Sequence, residues 1–298
     1  MGSTEKSESV AAAHWDKRYV EQVRSAWFSN RLVLEELNRR ITGINKFWLA
    51  WVFEDLLTYR PKRVLSIGCG DGAHELIIAR HRWAEHVDAF DASAAGIEIA
   101  KKAVEDEGLN ASFTLGTFES FISSPVTQVY DLVMFIGSLH HVRELEPMLD
   151  KVKRTLTADG LLMINEYVGP CYNIYDAARI DIMNRLLSSL APEFTLTPTS
   201  QWTNLEIEAV LSADPSESTR SALIPAFLNY YFRPRVVRNF GGALLHPLFD
   251  HLNSARLNDG SPESDAIVRL LIQTENLLTE AGALPQDFCF GLFCPWNV

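Results

Sequence analysis

Three glycines in the pattern G-x-G-x-G, Gly68, Gly70 and Gly72, follow the apolar run Val64-Leu65-Ser66-Ile67. Glycine takes positive φ without strain and lets a ligand approach bare backbone. Helix-forming residues continue from Ala73 to His81, so the segment reads as strand, tight turn and helix. About twenty residues on, Val87-Asp88-Ala89-Phe90-Asp91 reads as a second strand that ends in an acid. A carboxylate at that place accepts both hydroxyls of a ribose. The chemistry indicated is nucleoside binding. The loop is not the phosphate cradle G-x-x-x-x-G-K-[ST], because no lysine follows the glycines. It also departs from the dinucleotide fingerprint, because position 73 is Ala.

A second group, Gly137-Ser138-Leu139-His140-His141, follows a later apolar run. Ligands of open α/β sheets collect at the carboxyl ends of strands, so the backbone around Gly137 and Ser138 is a candidate ligand contact. His140 is a candidate general base, since imidazole titrates near neutrality. The competing role for such a His pair is structural, one ring holding a helix turn. The four cysteines, Cys69, Cys171, Cys289 and Cys294, match no zinc spacing and no C-x-x-C pair. No metal site is expected.

These residues need a frame. Strands are predicted at Arg63–Ile67, Val87–Asp91, Ser112–Leu115, Tyr130–Phe135 and Leu161–Glu166. Helices fall between them at Ala73–His81, Ala94–Glu107, Phe118–Ser123 and Glu144–Leu156, and Asp159-Gly160 is a turn into the fifth strand. Near-continuous apolar strands alternating with helices give an α/β, Rossmann-like sheet, mostly parallel, with helices on both faces. Residues 1–10 are polar and charged and are expected to be a disordered tail. Residues 11–60 form a helical cover: one helix over Ala11–Asn38 and a second over Ile44–Leu57. The cofactor-binding core spans 61–168. A helical lid insert rich in aromatic and polar groups spans 169–225, where active-site lids commonly sit. Residues 226–298 complete the core with strands at Arg233–Phe240 and Asp287–Phe293 and helices at Gly242–Leu252 and Asp265–Ala281. Trp15, Tyr19, Trp27, Phe47, Trp48 and Trp51 make two aromatic stripes at helical spacing. Core packing or a homodimer seam is their first expected role, and a substrate gate the second.

The net charge is −11 and no dense Lys/Arg run occurs, which argues against a nucleic-acid substrate. No apolar run reaches membrane-spanning length, and residues 2–9 are polar, without a signal-peptide core. A cytoplasmic protein with no membrane partner is expected.

The glycine loop and Asp91 together resemble the class I S-adenosylmethionine-dependent methyltransferases. The order of elements from Trp15 to Phe293 is similar to a bacterial branch of that family acting on small molecules. Further likenesses are Asn165-Glu166-Tyr167-Val168-Gly169-Pro170 and Asp214-Pro215-Ser216-Glu217. The resemblance implies S-adenosylmethionine as cofactor and a small-molecule acceptor, in bacterial secondary metabolism. It places Gly68, Gly70 and Gly72 near the methionine part and ribose, with Asp91 on the ribose hydroxyls and Ala92 beside the adenine. The acid that many relatives use for the adenine amino group is missing, because Thr117-Phe118 stands there. The backbone, the Thr117 hydroxyl or stacking by Phe118 must serve instead. Glu166 is implied to face the cleft, where it binds a cationic amine, orients a nucleophile, or forms a salt bridge to the lid. Tyr172, Tyr175 and Trp202 are candidate catalytic and substrate-binding groups. Aromatic faces suit a sulfonium and exclude water, but the same rings would also pack a lid. Azetidine-2-carboxylate synthases resemble the same fold, so cyclisation of the cofactor to azetidine-2-carboxylate and methylthioadenosine is the alternative reaction. A non-catalytic cofactor-binding module is the second alternative.

Overall fold

The computed structural model describes residues 3–21 and 27–296, with side chains from Val10 onward. Seven strands form one sheet: β1 Arg63–Ile67, β2 His86–Asp91, β3 Ala111–Leu115, β4 Tyr130–Ile136, β5 Leu156–Tyr167, β6 Phe232–Asn239 and β7 Phe288–Pro295. Their spatial order is β3-β2-β1-β4-β5-β7-β6. The first five run parallel; β7 is antiparallel to both β5 and β6. Before β1 come α1 Ser3–Val20, α2 Arg31–Thr42 and α3 Trp48–Trp51. The crossovers are α4 Ala73–Arg80, α5 Ala94–Glu107, α6 Phe118–Ser123 and α7 Leu145–Thr155. Between β5 and β6 lie α8 Ala177–Ser189, α9 Ile207–Ala213 and α10 Ile224–Tyr231. Between β6 and β7 lie α11 Leu245–Phe249, α12 Ser254–Leu257 and α13 Pro262–Glu280.

Strand alternation divides the core. Val64, Leu132, Met134, Leu161 and Met163 belong to the cluster on one face of the sheet. Their chain neighbours Leu65, Val133, Phe135, Leu162 and Ile164 belong to the cluster on the other. Each central strand is thus buried on both sides, which is why these runs carry no polar alternation. Strand order reverses at β1, which has β2 on one side and β4 on the other. That switch point is where open α/β sheets hold ligands.

The sequence reading and the structure part at several places. Asp159-Gly160 lies within β5, where six residues of β5 (Leu156 to Leu161) pass against three of β4 (Tyr130 to Leu132). Helix α1 starts at Ser3, inside the stretch read as a disordered tail. Glu5, Lys6 and Glu8 are good helix formers, and they lead directly into Ala11-Ala12-Ala13. The single helix expected over Ala11–Asn38 is instead α1 and α2, separated by residues 22–26, which lie outside the described set, and a short 3-10 turn at Trp27–Ser29. Asn30 restarts the helix: its side chain accepts from the Leu32 and Val33 N–H groups at 3.0 and 3.3 Å. The second expected helix shrinks to α3 followed by a π-type turn at Val52–Leu56. The helix expected over Gly242–Leu252 is only α11, because Gly241 and Gly242 both adopt φ near +85°. Buried Glu275 of α13 accepts from the Gly242, Leu244 and Leu245 N–H groups there and pairs with Arg40 of α2 at 2.5 Å.

Candidate active site

A cavity of about 260 Å³ opens at the carboxyl ends of β1, β2 and β4. Its floor is the loop Gly68 to Asp71, and one wall is Phe90, Asp91, Ala92 and Ser93. Gly116, Thr117 and Phe118 form a second wall, and Ile136, Gly137 and Ser138 a third. Ala11, Ala12, Trp15 and Tyr19 of α1 close the top, while His141, Arg143 and Ser216 stand at the far end.

The glycines are where the chain comes closest. Gly68 has φ +73°, and a Cβ there would lie 2.6 Å from the Ser138 Cβ. Gly70 has φ +58°, and the Tyr19 hydroxyl occupies the space a Cβ would take. Asp91 organises the loop. One carboxylate oxygen accepts from the Gly70 N–H at 2.8 Å and the other from the Ser93 N–H at 2.8 Å. Each oxygen keeps a further lone-pair direction, since a carboxylate offers about four acceptor sites. Burial raises the Asp91 carboxyl above its ordinary range, against the lowering effect of the hydrogen bonds from Ser93 and Gly70. Burial lowers His74, on the loop's other flank, to about 4, so it is neutral at pH 7. Helix α1 is tied down by Asp16, whose carboxylate accepts from the Ser93 hydroxyl at 2.5 Å and the Ala95 N–H at 3.0 Å. The Thr117 hydroxyl gives one lone pair to the fold and keeps its own O–H to donate. It caps α6 by accepting from the Ser120 N–H at 3.1 Å.

Glu166 does not face the cavity as a ligand group. It is fully buried and holds the loop after β4. Its Oε1 accepts from the Ser138 and Leu139 N–H groups at 2.6 and 2.7 Å, and its Oε2 pairs with His140 Nδ1 at 2.8 Å. The Ser138 hydroxyl turns away too, donating to the Ile67 carbonyl at 2.6 Å. Burial lowers His140, but its bond to Glu166 and the nearby charges of Glu166, Glu217 and Asp214 together outweigh this, and the net shift is upward. His141 goes the other way, lowered by burial and by the neighbouring His140. Its Nδ1 lies 3.0 Å from the Ser216 hydroxyl, and its ring meets Trp15 edge-on at 5.4 Å.

The insert aromatics differ from expectation: Tyr172, Tyr175 and Trp202 are not among the cavity walls. Tyr175 is 4% exposed, with the Arg179 guanidinium 3.7 Å from its ring centre and Trp202 at 5.3 Å. Arg179 in turn pairs with Asp287 at 2.6 Å. A buried cation needs such partners, and they draw these rings into the packing of insert on sheet. Tyr172 and Asn173 adopt left-handed backbone, with φ of 57° and 55°. The cavity's aromatic walls are Phe90 and Phe118 together with Trp15 and Tyr19 on α1, an i, i+4 pair whose expected first role was core or dimer packing. Trp48 and Trp51 do pack internally, each against Phe290. The sequence reading passed over His74, Arg143 and Ser216. Ser216 sits in the Asp214-Pro215-Ser216-Glu217 motif, which was the one available sign.

A sequence profile described as a methyltransferase domain matches residues 60–213, just over half of the chain and all of this cavity's floor. The chain belongs to that methyltransferase family. Curated relatives include the ubiquinone biosynthesis O-methyltransferase of Actinobacillus pleuropneumoniae serotype 5b (strain L20), 24% identical over 164 residues. That alignment spans 54% of this chain and 62% of the relative. The enzyme of the same name from Coxiella burnetii (strain RSA 493) is 27% identical over 122 residues, 41% of this chain and 50% of that one. The chain therefore spans about half to three-fifths of the curated relatives it matches. Among solved structures, the plantazolicin methyltransferase BamL is 16% identical, with a TM-score of 0.47 over 98% of this chain and 97% of that one. The StiE O-methyltransferase region is 15% identical, with a TM-score of 0.49 over 90% and 76%.

The cofactor of this methyltransferase family is S-adenosylmethionine, and the cavity residues fit it. Asp91 presents spare acceptor capacity for ribose hydroxyls. The cradle at Gly68 and Gly70 is closed to any side chain. Trp15, Tyr19, Phe90 and Phe118 supply aromatic surface suited to an adenine and a sulfonium. Among the described residues, no helix is long and apolar enough to cross a membrane.

Proposed function

We propose that this methyltransferase uses S-adenosylmethionine to methylate a small-molecule acceptor, the substrate class of the bacterial secondary-metabolism branch it resembles. The supporting observation is that one cavity is lined both by the Asp91 carboxylate and by His141 and Ser216. When bound, the cofactor supplies a methyl group already activated by its sulfonium, so the protein's task is positioning and exclusion of water. Asp91 binds the ribose, while Ala92, Thr117 and Phe118 wall the adenine. The backbone at Gly68, Gly70 and Gly137 admits close approach, Ser138 holds the Gly68 turn from behind, and Gly72, outside the cavity walls, serves the turn by leaving room for Phe113. Trp15 and Tyr19 exclude water. His140, outside the cavity walls but packed on the wall residue His141 with ring centres 4.1 Å apart, takes the acceptor's proton through Nε2, with Glu166 fixing the ring through Nδ1. Tyr172, Tyr175 and Trp202 act as packing that holds the insert over the acceptor end.

Two variants test the proton role. His140→Ala should lower turnover by about 10²–10⁴, the usual worth of a general base, while S-adenosylhomocysteine affinity stays within twofold. Turnover within threefold of wild type would remove His140 from the chemistry. The function itself is tested with methyl-labelled cofactor and a panel of phenols, catechols and amines. Label in an acceptor, with one S-adenosylhomocysteine per label, is expected; no label in any of them overturns the reading. Cyclisation to azetidine-2-carboxylate is less well supported, because the insert rings that would shape it lie outside the cavity walls.

A further inference from the structure

His140, His141 and Glu217 converge beside the acceptor end of the cavity, and one ligand atom from each lies within 4.8 Å of the others. The hydrogen bonds around them fix which atoms those are. The Glu166 carboxylate can only accept, so His140 donates to it through Nδ1–H, leaving a bare lone pair at Nε2. The Ser216 hydroxyl donates to Asp214 Oδ1 at 2.6 Å, so it accepts from His141 Nδ1–H at 3.0 Å. This leaves His141 Nε2 bare as well, on a side chain only 8% exposed, with no hydrogen-bond partner. Glu217 Oε2 stands 4.0 Å from it. Glu217's other oxygen is held by Asn173 Nδ2 at 3.1 Å and the Ser218 hydroxyl at 2.6 Å. With both rings neutral, three electron-pair donors face one another, a set that can take up a proton or a metal ion.

We infer that His140, His141 and Glu217 form a binding site for a divalent transition-metal ion of the zinc class. Two imidazole nitrogens and one carboxylate suit zinc, cobalt or iron better than magnesium or calcium, which prefer all-oxygen shells. The outer partners match the usual arrangement, in which each ligating His gives its other N–H to a carboxylate or hydroxyl. Glu166 serves His140 in this way, and the Asp214–Ser216 pair serves His141. The ligand atoms stand somewhat wider than the edge of about 3.3 Å for a tetrahedron of zinc–nitrogen bonds, so side chains draw in when the ion binds. Tyr172, Asn173 and Ser218 all take positive φ, and the Tyr172 N–H donates to the Ser218 carbonyl at 3.0 Å, tying the two loops beside Glu217 together. The sequence hid the site because Glu217 reaches the histidines only through folding of the insert. The inference does not depend on the acceptor's identity. It adds one consequence to the proposed reaction: a bound ion occupies the His140 lone pair that proton removal needs, so loading the metal lowers transferase turnover.

Tag-free protein stripped with chelator and titrated with Co²⁺ tests the inference directly. One equivalent per chain is expected, with visible d–d absorption of a nitrogen-ligated ion, displaced by Zn²⁺. His141→Ala and Glu217→Gln should each weaken Co²⁺ binding more than a hundredfold, and Ser216→Ala about ten- to a hundredfold, as for outer-shell partners elsewhere. S-adenosylhomocysteine titration of each variant reports whether it is folded. Wild-type protein that retains no Co²⁺ after dialysis overturns the site. So does undiminished binding in folded His141→Ala or Glu217→Gln, or in Ser216→Ala and His141→Ala together should Glu217→Gln not fold.

Discussion

Replacing Asp91 by Ala removes the group on which cofactor binding turns. The carboxylate does two things in the structure. It fixes the Gly70 and Ser93 N–H groups at 2.8 Å each, and it lines the cavity with acceptor capacity to spare. A hydrogen bond to a charged group contributes about 1.5–3 kcal/mol. Loss of one such bond to a ribose hydroxyl alone weakens binding about 10- to 150-fold. Loosening of the Gly70 loop works in the same direction, so the lower end of that range is the minimum expected. Isothermal titration of S-adenosylhomocysteine into wild type and Asp91→Ala measures the difference. Thermal unfolding of both proteins without ligand shows whether the variant keeps its fold. Asp91→Asn should fall between them, because it keeps one acceptor oxygen but turns an amide donor toward an N–H or a hydroxyl. Unchanged affinity in a folded Asp91→Ala protein would refute the assignment of this cavity to the cofactor.

Glu75 supplies a pH test. It is 1% exposed, and burial raises its carboxyl to about 7, against the lowering bond from Ser66 at 2.5 Å. A raised folded-state value means the folded protein prefers the protonated acid. The stability is full below about pH 4.5 and falls by about 3 kcal/mol as pH rises through 7. Urea unfolding between pH 5 and 8 should show that loss in wild type and a flatter profile in Glu75→Gln; parallel profiles would contradict it. Asp16→Ala should remove the tie between α1 and the start of α5, at a cost of about 1–2 kcal/mol. Amide exchange in α1 should quicken and cofactor affinity fall, and unaltered exchange would show that α1 is held by other contacts. Tyr175→Ala should cost about 3 kcal/mol of stability through its buried ring. Its cofactor affinity should match wild type; a large affinity loss would return Tyr175 to the binding site.

The parallel core was legible because its signals are local. A buried strand is a short apolar run, and the turn after β1 needs glycine at fixed positions, so β1, α5 and α6 begin and end where the residues indicate. Asp91 was legible for the same reason, as the last residue of its strand. The lining from Trp15 and Tyr19 was not, because helical spacing identifies a buried face without saying what buries it. Glu166 was misread because a carboxylate at a strand end looks the same whether it points at a ligand or at the next loop's N–H groups. Tyr175 was misread because nothing in sequence shows that Arg179 and Asp287 would form a buried pair beneath it. Ser216 and Glu217 reach the histidines only through the folding of a long insert, a contact that no local pattern encodes.

The products formed from S-adenosylmethionine, first alone and then with an acceptor pool, test the central claim most directly by mass spectrometry. Methyl transfer predicts an intact cofactor in the first incubation. In the second it predicts S-adenosylhomocysteine in step with a methylated product, both lowered in Asp91→Ala at sub-saturating cofactor. Methylthioadenosine with a cyclic amino acid, formed from the cofactor alone, would contradict it.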